Sequence, residues 1–582
     1  MKVLFSALHF GYFRNFESVV RELAERGHRL HLAADESETF GGQQLVERLA
    51  AQYPNLTWGW APNLDEERWF PAAQKLRYAL DYVRFLDPRY QDAPKLRLRN
   101  IERAPRFLRW LAAPVGVGYP GRRAAEVGLK WAERMMPRSV VMDRWIAEQE
   151  PDVVLLASLT YSRSTHIEQL KAARAAGVPV AACVMSWDHL SSKALLHIPP
   201  DLAIVWNEVQ KREAVEMHGI GAERVAVTGA QCYDQWFTRQ PARTRAEFCR
   251  EVGLNPDRPF VLYVCSTMSP VPDPVEPVFV KRWVEGLRAG GDPVLRTAGV
   301  LIRPHPERVK EWTGISLEGF DNVAMRGSNP IDDAAKAEYF DSLYHSAAVV
   351  GLCTTAFIEA GIVGRPVLTM MLPEYRIHQE GMAHFRYLLN VEGGLLETSP
   401  SLEGHFSQLS AALTAPPERG ERNRRFLTAF VRPAGLGQPA TPAFVERVER
   451  LARAGGHASD VGRIARSGPA EAMRTKPSFA QALVARAAVA ANAGVGRWLM
   501  MDAIDMKRAR SEEEGERYKQ RLARTRADYH EAKRQKHDEA VRNSEDARRA
   551  KTWRKWRRGL SARKQVARLK GELKQLIGAR HQ

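Results

Sequence analysis

Short, continuous apolar runs recur along this chain, each opening into a polar turn and then a helical pattern, and that rhythm limits the possible folds more than any other feature. The run "KVLFSAL" is followed by "HFGYFRNFESVVRELAERG" and then by "HRLHLAA". Phe16, Val19, Val20 and Leu23 fall at helical spacing and Gly27 closes the helix. The rhythm resumes at Pro151 with "DVVLLAS", "SRSTHIEQLKAARAAG", "VPVAACVMS", "DLAIVW" and "NEVQKREAVEMHG". Past the Pro- and Arg-rich linker "TRQPARTRAEF" a second series opens on "PFVLYVCST" and runs to about Ala454. Apolar runs without polar alternation suit strands buried on both faces, and intervening helices make successive strands parallel. A chain of 582 residues is also too long for one core. The expected fold is therefore α/β, with two Rossmann-like halves facing across a cleft. Residues 1–238 form the first half, with a helical insertion at about 65–150; residues 239–455 form the second, and 456–582 a basic helical tail.

The net charge of +18 is concentrated: residues 507–582 hold 25 Lys and Arg against 11 Asp and Glu. The cysteines, Cys183, Cys232, Cys249, Cys265 and Cys353, are odd in number and lie mostly in apolar strand-like runs without metal-ligand spacing. They read as reduced, buried thiols. Neither HExxH nor paired Cys motifs occur, nor the Asp-any-Asp element of metal-dependent transferases, so no metal and no cofactor is expected. "MKVLFSALHFGYFRNF" is interrupted by His9 and Gly11 and lacks a small-residue cleavage site, so it reads as a first strand and loop rather than a signal peptide. No apolar span of about 18 residues occurs, so no membrane-crossing helix is expected.

Polar residues gather where the strands end. Arg303, His305 and Glu307 follow the apolar Val300, Leu301 and Ile302. Further on, "AAVVGLC" leads into the turn Thr354–Thr355 and then the helix "AFIEAGIVG", which carries Glu359. Ligands of open parallel sheets bind outside the carboxyl ends of the strands, and a helix starting there aims N–H groups at an anion. An anion site is therefore expected in the second half. Arg303 offers a bidentate contact, and Ser266 and Thr267 add hydroxyls after "VLYVC". A strand-end His305 between two prolines is poorly explained by core packing, whereas Glu359 either accepts from sugar hydroxyls or caps and salt-bridges. In the first half His9 ends the first strand, with Arg14 and Asn15 close behind. It is a candidate base, because an imidazole titrates near neutral pH; the plainer reading is a cap. Asp188, beside His189 and near Lys193, is a candidate base, an orienting group for an acceptor, or a turn residue.

The segments "RPHPE" (Arg303–Glu307) and "CTTAFIEAGIVGRPVL" (Cys353–Leu368) resemble motifs of GT-B glycosyltransferases. Within that fold they are most similar to enzymes that act on nucleotide-activated sugars or polyols for bacterial envelope polymers. These include capsule sugar transferases, CDP-glycerol glycerophosphotransferases and UDP-N-acetylglucosamine 2-epimerases. "VTGAQCYD" resembles the crossover strand between the halves of such proteins. The resemblance implies that His305 borders the donor, Thr354 and Thr355 hold its diphosphate, and Glu359 contacts the ribose. The epimerases carry Ser-Gly-Gly where this chain has Thr354, Thr355 and Ala356, which favours a transferase. The implied partners are a nucleotide-sugar or nucleotide-polyol donor and a glycan or lipid-linked acceptor, with metal-independent transfer. A UDP-sugar 2-epimerase needing no acceptor and a non-catalytic scaffold remain as alternatives.

Two further stretches have two readings each. The Trp-, Arg- and Leu-rich insertion either lines an acceptor pocket or presents solvated helix faces. In the tail, Trp553 and Trp556 lie among Arg and Lys and precede Val566, Leu569, Leu573, Leu576 and Ile577. That pattern suits a basic amphipathic helix on an anionic membrane surface, with the protein cytoplasmic and peripheral on the inner membrane face. The other reading is a solvated helix, or a disordered tail that binds an acidic partner. No specific nucleic acid is expected.

Overall fold

A computed structural model describes residues 1–463, except 39–40, 106–118, 267–275, 328, 331 and 415–418, together with 486–487. Of the expected basic tail, 456–582, only 456–463 and 486–487 are thus among the described residues.

The apolar runs form two parallel sheets. The first contains seven strands: β1 (Lys2–Ala7), β2 (Arg29–Ala34), β3 (Leu56–Trp60), β4 (Val153–Leu156), β5 (Val180–Cys183), β6 (Leu202–Val205) and β7 (Val225–Val227), in the order β3-β2-β1-β4-β5-β6-β7. The second contains six: β8 (Phe260–Val264), β9 (Gly299–Arg303), β10 (Val323–Met325), β11 (Ala348–Gly351), β12 (Val367–Met370) and β13 (Glu397–Ser399), in the order β10-β9-β8-β11-β12-β13. The central strands are buried on both faces: Val3, Leu4 and Phe5 in β1 and Val261, Leu262 and Tyr263 in β8 expose 1% or less. That is why these segments read as unbroken apolar runs rather than alternating ones. In each sheet the strand order reverses next to its first strand, between β1 and β4 and between β8 and β11. Both sheets are thus doubly wound, and each has a switch point where loops diverge above adjacent strand ends.

The last helix corrects the expected boundary of the second half. Residues Ala440–Arg463 form one helix, and its Phe444, Val445, Val448 and Ala452 join the core of the first sheet with Phe16, Val19, Val20 and Leu23. Those four residues lie on one helical stripe, which must be buried, and the first half supplies the surface. The insertion is also narrower than its composition implies. The helices Phe70–Phe85, Pro94–Arg103 and Tyr119–Met135 belong to a separate compact unit beginning at Arg68 and reaching Met136, whereas the helix Val140–Gln149 packs on the helix His166–Ala175 beside β4. Several of the insertion's arginines are committed internally. Arg77 makes a two-pronged pair with Glu133 (3.2 and 2.9 Å), both buried, and Arg122 pairs with Asp87 at 2.8 Å. Of the five cysteines, Cys183, Cys249 and Cys265 are buried, Cys232 and Cys353 half-buried, and none forms a disulfide. Among the described residues no helix is long and apolar enough to cross a membrane.

The chain crosses between the halves twice, and one carboxylate ties the crossings together. Asp234 Oδ1 accepts from Arg432 Nε (3.2 Å) and Nη2 (2.7 Å) and from the Ala440 N–H (3.0 Å). Its Oδ2 accepts from the N–H and the hydroxyl of Thr441, at 2.7 and 2.6 Å. Asp234 therefore neutralises a nearly buried guanidinium and caps the returning helix in one arrangement. Gly229 lets the crossings approach: its φ is +95°, and a Cβ there would lie 2.8 Å from the Cβ of Ala440. Asp234→Ala leaves Arg432 buried without its counter-charge. It is expected to cost about 3–5 kcal/mol of stability, measured by denaturant unfolding, whereas Asp257→Ala on the surface should cost little.

Candidate functional site

The second sheet's switch point sets the position of most predicted donor residues. His305 follows β9 in extended backbone, and its Nδ1 accepts the Glu307 N–H at 3.2 Å. That bond selects the tautomer with the proton on Nε2, turning the ring into a neutral donor. Burial lowers the pKa of His305; Glu307 opposes the shift, and Arg308 and Arg14 add to it. Glu307 contributes this amide while its side chain is exposed. Thr354 and Thr355 form the turn after β11. The Thr354 hydroxyl accepts the Ala356 N–H at 3.3 Å, and Thr355 is exposed at the head of the helix Ala356–Ile362. This helix has only seven residues, so its dipole is modest and the turn's hydroxyls and backbone dominate the loop. Glu359 accepts a hydrogen bond from the Tyr339 hydroxyl. Burial pushes its pKa up to about 7, against the pull of Tyr339 and of Arg14.

Two predicted donor ligands are turned to structural tasks. Arg303 is only 5% exposed, pairs with Glu338 at 2.9 Å and lies over the Tyr339 ring, 5.1 Å from its centroid. Its guanidinium steadies the ring that holds Glu359. Ser266 donates both its N–H and its hydroxyl to Glu276 Oε2, each at 2.8 Å. Thr267 lies outside the described residues.

The first sheet's switch point holds the predicted catalytic residues. The Leu8 N–H donates to the Ser158 hydroxyl at 2.9 Å, tying the loop after β1 to the loop after β4. His166, fully buried, lies beneath that tie: its Nδ1 accepts the Ser158 N–H at 3.2 Å and its Nε2 lies 3.3 Å from the Ser6 hydroxyl. Burial lowers its pKa to about 3, so it is a neutral fastener. His9, next in the chain, lies on the Tyr12 ring at a centroid distance of 3.9 Å. Burial lowers its pKa, Glu38 opposes, and Arg163 and Arg14 add to the lowering. The Tyr12 and Tyr161 hydroxyls are hydrogen-bonded, their rings 5.7 Å apart. Tyr161 in turn meets the His189 ring, at 5.6 Å, and the Lys193 ammonium, at 5.9 Å.

Asp188 lies at that end of the aromatic row. Ser186 donates to its Oδ1 at 2.6 Å, and Lys193 Nζ is 3.5 Å from its Oδ2. Burial works against ionisation, but Lys193, His189, His384 and Ser186 together hold the carboxyl well below the usual range. So stable an anion is a poor proton acceptor and a good orienting group.

The two sets of loops belong to one compact unit and converge. Arg14, from the loop after β1, acts electrostatically on both His305 and Glu359. The Ser192 hydroxyl is 2.7 Å from His384 Nδ1, and Lys336 reaches Glu17 at 3.4 Å. The arrangement therefore brings together His9 and Asp188 on one side and His305, Thr354, Thr355 and Glu359 on the other. Sequence reasoning missed His166, Glu276, Tyr339 and His384. Tyr161 was missed as well, and it alone carried a usable signal, since it follows the end of β4.

No protein-family model and no curated protein matches this chain. Among solved structures, it is similar to the UDP-GlcNAc 2-epimerase from Neisseria meningitidis bound to UDP-GlcNAc, with 13% identity and a TM-score of 0.44 over 77% of this chain and 100% of that one. It is also similar to a glycosyltransferase from Rickettsia africae, with 11% identity and a TM-score of 0.43 over 77% of this chain and 98% of that one. The figures for MurG from Acinetobacter baumannii are 12% and 0.39 over 77% and 99%.

Glu276 gives a pH test. Burial raises its pKa from 4.5 to about 7, while Ser266 and Tyr263 pull the other way. The folded state then holds a proton that the unfolded chain releases above pH 4.5. This group's stabilisation is complete below that pH and is lost as pH rises to about 7. The difference in unfolding free energy between wild type and Glu276→Gln should therefore change across that window and be flat above it.

Proposed function

We propose that the chain is a transferase that moves a sugar, or a polyol phosphate, from a nucleotide-activated donor to a hydroxyl of a cell-envelope glycan or lipid-linked acceptor. One observation carries this reading: a neutral His9 and a charged Asp188 at one switch point meet a hydrogen-bond donor, hydroxyls and a carboxyl at the other. In this assignment the donor's phosphates lie against His305 Nε2–H, the Thr354–Thr355 turn and Arg14. Glu359 accepts from the nucleoside ribose. The acceptor lies along His9, Tyr12 and Tyr161.

The acceptor oxygen forms a bond to the donor's anomeric carbon, or to phosphorus for a polyol phosphate, as the bond to the nucleotide breaks. The departing electron pair stays on the nucleotide's phosphate oxygen, where the His305 N–H and Arg14 stabilise it. The acceptor proton passes to His9, whose imidazole burial keeps unprotonated at neutral pH. Asp188 holds a neighbouring acceptor hydroxyl in place. Because cationic and N–H partners serve the leaving group, the reaction is proposed to need no metal. The protein is proposed to work at the inner face of the cytoplasmic membrane, where lipid-linked acceptors are made.

Release of nucleotide from a panel of nucleotide-sugars and CDP-glycerol, with acceptor present, tests the reading. His9→Ala should lower kcat by about 10²–10⁴-fold, and Asp188→Asn should raise the acceptor KM more than it lowers kcat. Activity should persist in EDTA. Turnover of donor alone to an epimer, or complete loss on chelation restored by magnesium or manganese, would contradict the assignment.

A further inference from the structure

The helix Tyr119–Met135 in the separate helical unit has an apolar stripe on its outer face as well as on its inner one. Inward, Leu129 and Glu133 are buried among Ala79, Leu80, Tyr82 and Val83 and against Arg77. Outward, Ala124, Val127, Gly128 and Trp131 recur at spacings of three and four, and all are exposed. Trp131 is 59% and Val127 55% exposed, both among the most open large apolar side chains in the described residues. A Cβ at Gly128 would meet nothing within 4 Å, so among the described residues nothing covers the stripe there.

Basic residues border the stripe. Arg123 and Lys130, 60% and 39% exposed, share the single acid Glu126, and Arg134 is exposed beside Trp131. The surplus extends through the unit: residues 68–136 contain 15 Lys and Arg but only 6 Asp and Glu. Two of those acids, Glu133 and Asp87, are already taken by Arg77 and by Arg122 with Arg89. What faces outward is cationic, with an aromatic and aliphatic centre. An anionic bilayer surface fits both features, because headgroups accept Lys and Arg while Trp and aliphatic side chains enter the interface. A second copy of the chain would instead set one surplus of positive charge against another.

We propose that this face of the helix Tyr119–Met135 rests on an anionic lipid surface, with Trp131 and Val127 in the headgroup region and Arg123, Lys130 and Arg134 against lipid phosphates. The proposal does not depend on the donor site.

Flotation of the full chain with vesicles of phosphatidylcholine, alone or mixed with phosphatidylglycerol, tests it. Wild type should float with the mixed vesicles and remain behind with the neutral ones. Val127→Ser/Trp131→Ser should lower the partition coefficient about tenfold with little change in the melting temperature, since both residues are more than half exposed in the free protein. Arg123→Gln/Lys130→Gln/Arg134→Gln is the independent second variant and should also lower it. Flotation of both variants at the wild-type level would overturn the proposal and give the membrane contact to another part of the chain. Failure of wild type to float, or equal flotation with neutral vesicles, would overturn it as well.

Discussion

The two halves keep their relation through the carboxylate of Asp234. The chain leaves the first sheet at Val227, crosses to build the second, and returns after Arg432 to close on the first. Both crossings pass Asp234, which pairs with Arg432 and caps the helix that begins at Ala440. The tie extends to the site through few intermediates: the Thr441 hydroxyl is bonded to Ser18, whose hydroxyl also reaches the Gln231 carbonyl. Ser18 is in the first turn of the helix Glu17–Glu25, directly after the loop that carries His9 and Arg14. A shift in the crossings therefore moves Arg14 relative to His305 and Glu359. Without that register the two switch points would be unrelated loops on separate sheets.

Around this frame, groups of similar chemistry are held in different protonation states. His9 and His305 are both made less basic by burial, but His305 is fixed as a donor by the Glu307 amide. Asp188 and Glu359 are both carboxyls in partly enclosed sites. Lys193 and two histidines keep Asp188 charged, whereas Glu359 has the Tyr339 hydroxyl and only a distant Arg14, and burial prevails. In the proposed assignment, this separation of like groups by environment supplies an acceptor of protons, a fixed anion and a neutral donor at the same pH.

The sheets were legible because parallel strands buried on both faces leave unbroken apolar runs, and the strand ends could be marked without knowing the strand order. His9, Asp188, His305 and Thr354 sit at those ends, so their place in the fold was legible from position alone. Arg303 and Ser266 sit there too, yet their partners, Glu338 and Glu276, lie 35 and 10 residues away, and no local pattern announces such pairs. The return of the helix Ala440–Arg463 was hidden for the same reason. Its apolar stripe shows that it must be buried, not which half buries it. The limits of the insertion were blurred because the helix Val140–Gln149 shares its composition but packs beside β4.

The most direct test of the account is calorimetric titration of the full chain with UDP, CDP, GDP and dTDP, repeated on His305→Ala. The account predicts that one of these nucleotides binds with one-to-one stoichiometry. Loss of the His305 donor to a charged phosphate should weaken that binding by about tenfold or more, with the fold intact by circular dichroism. Binding of none of the four, or equal binding by wild type and His305→Ala, would contradict the placement of a nucleotide donor at the second sheet's switch point.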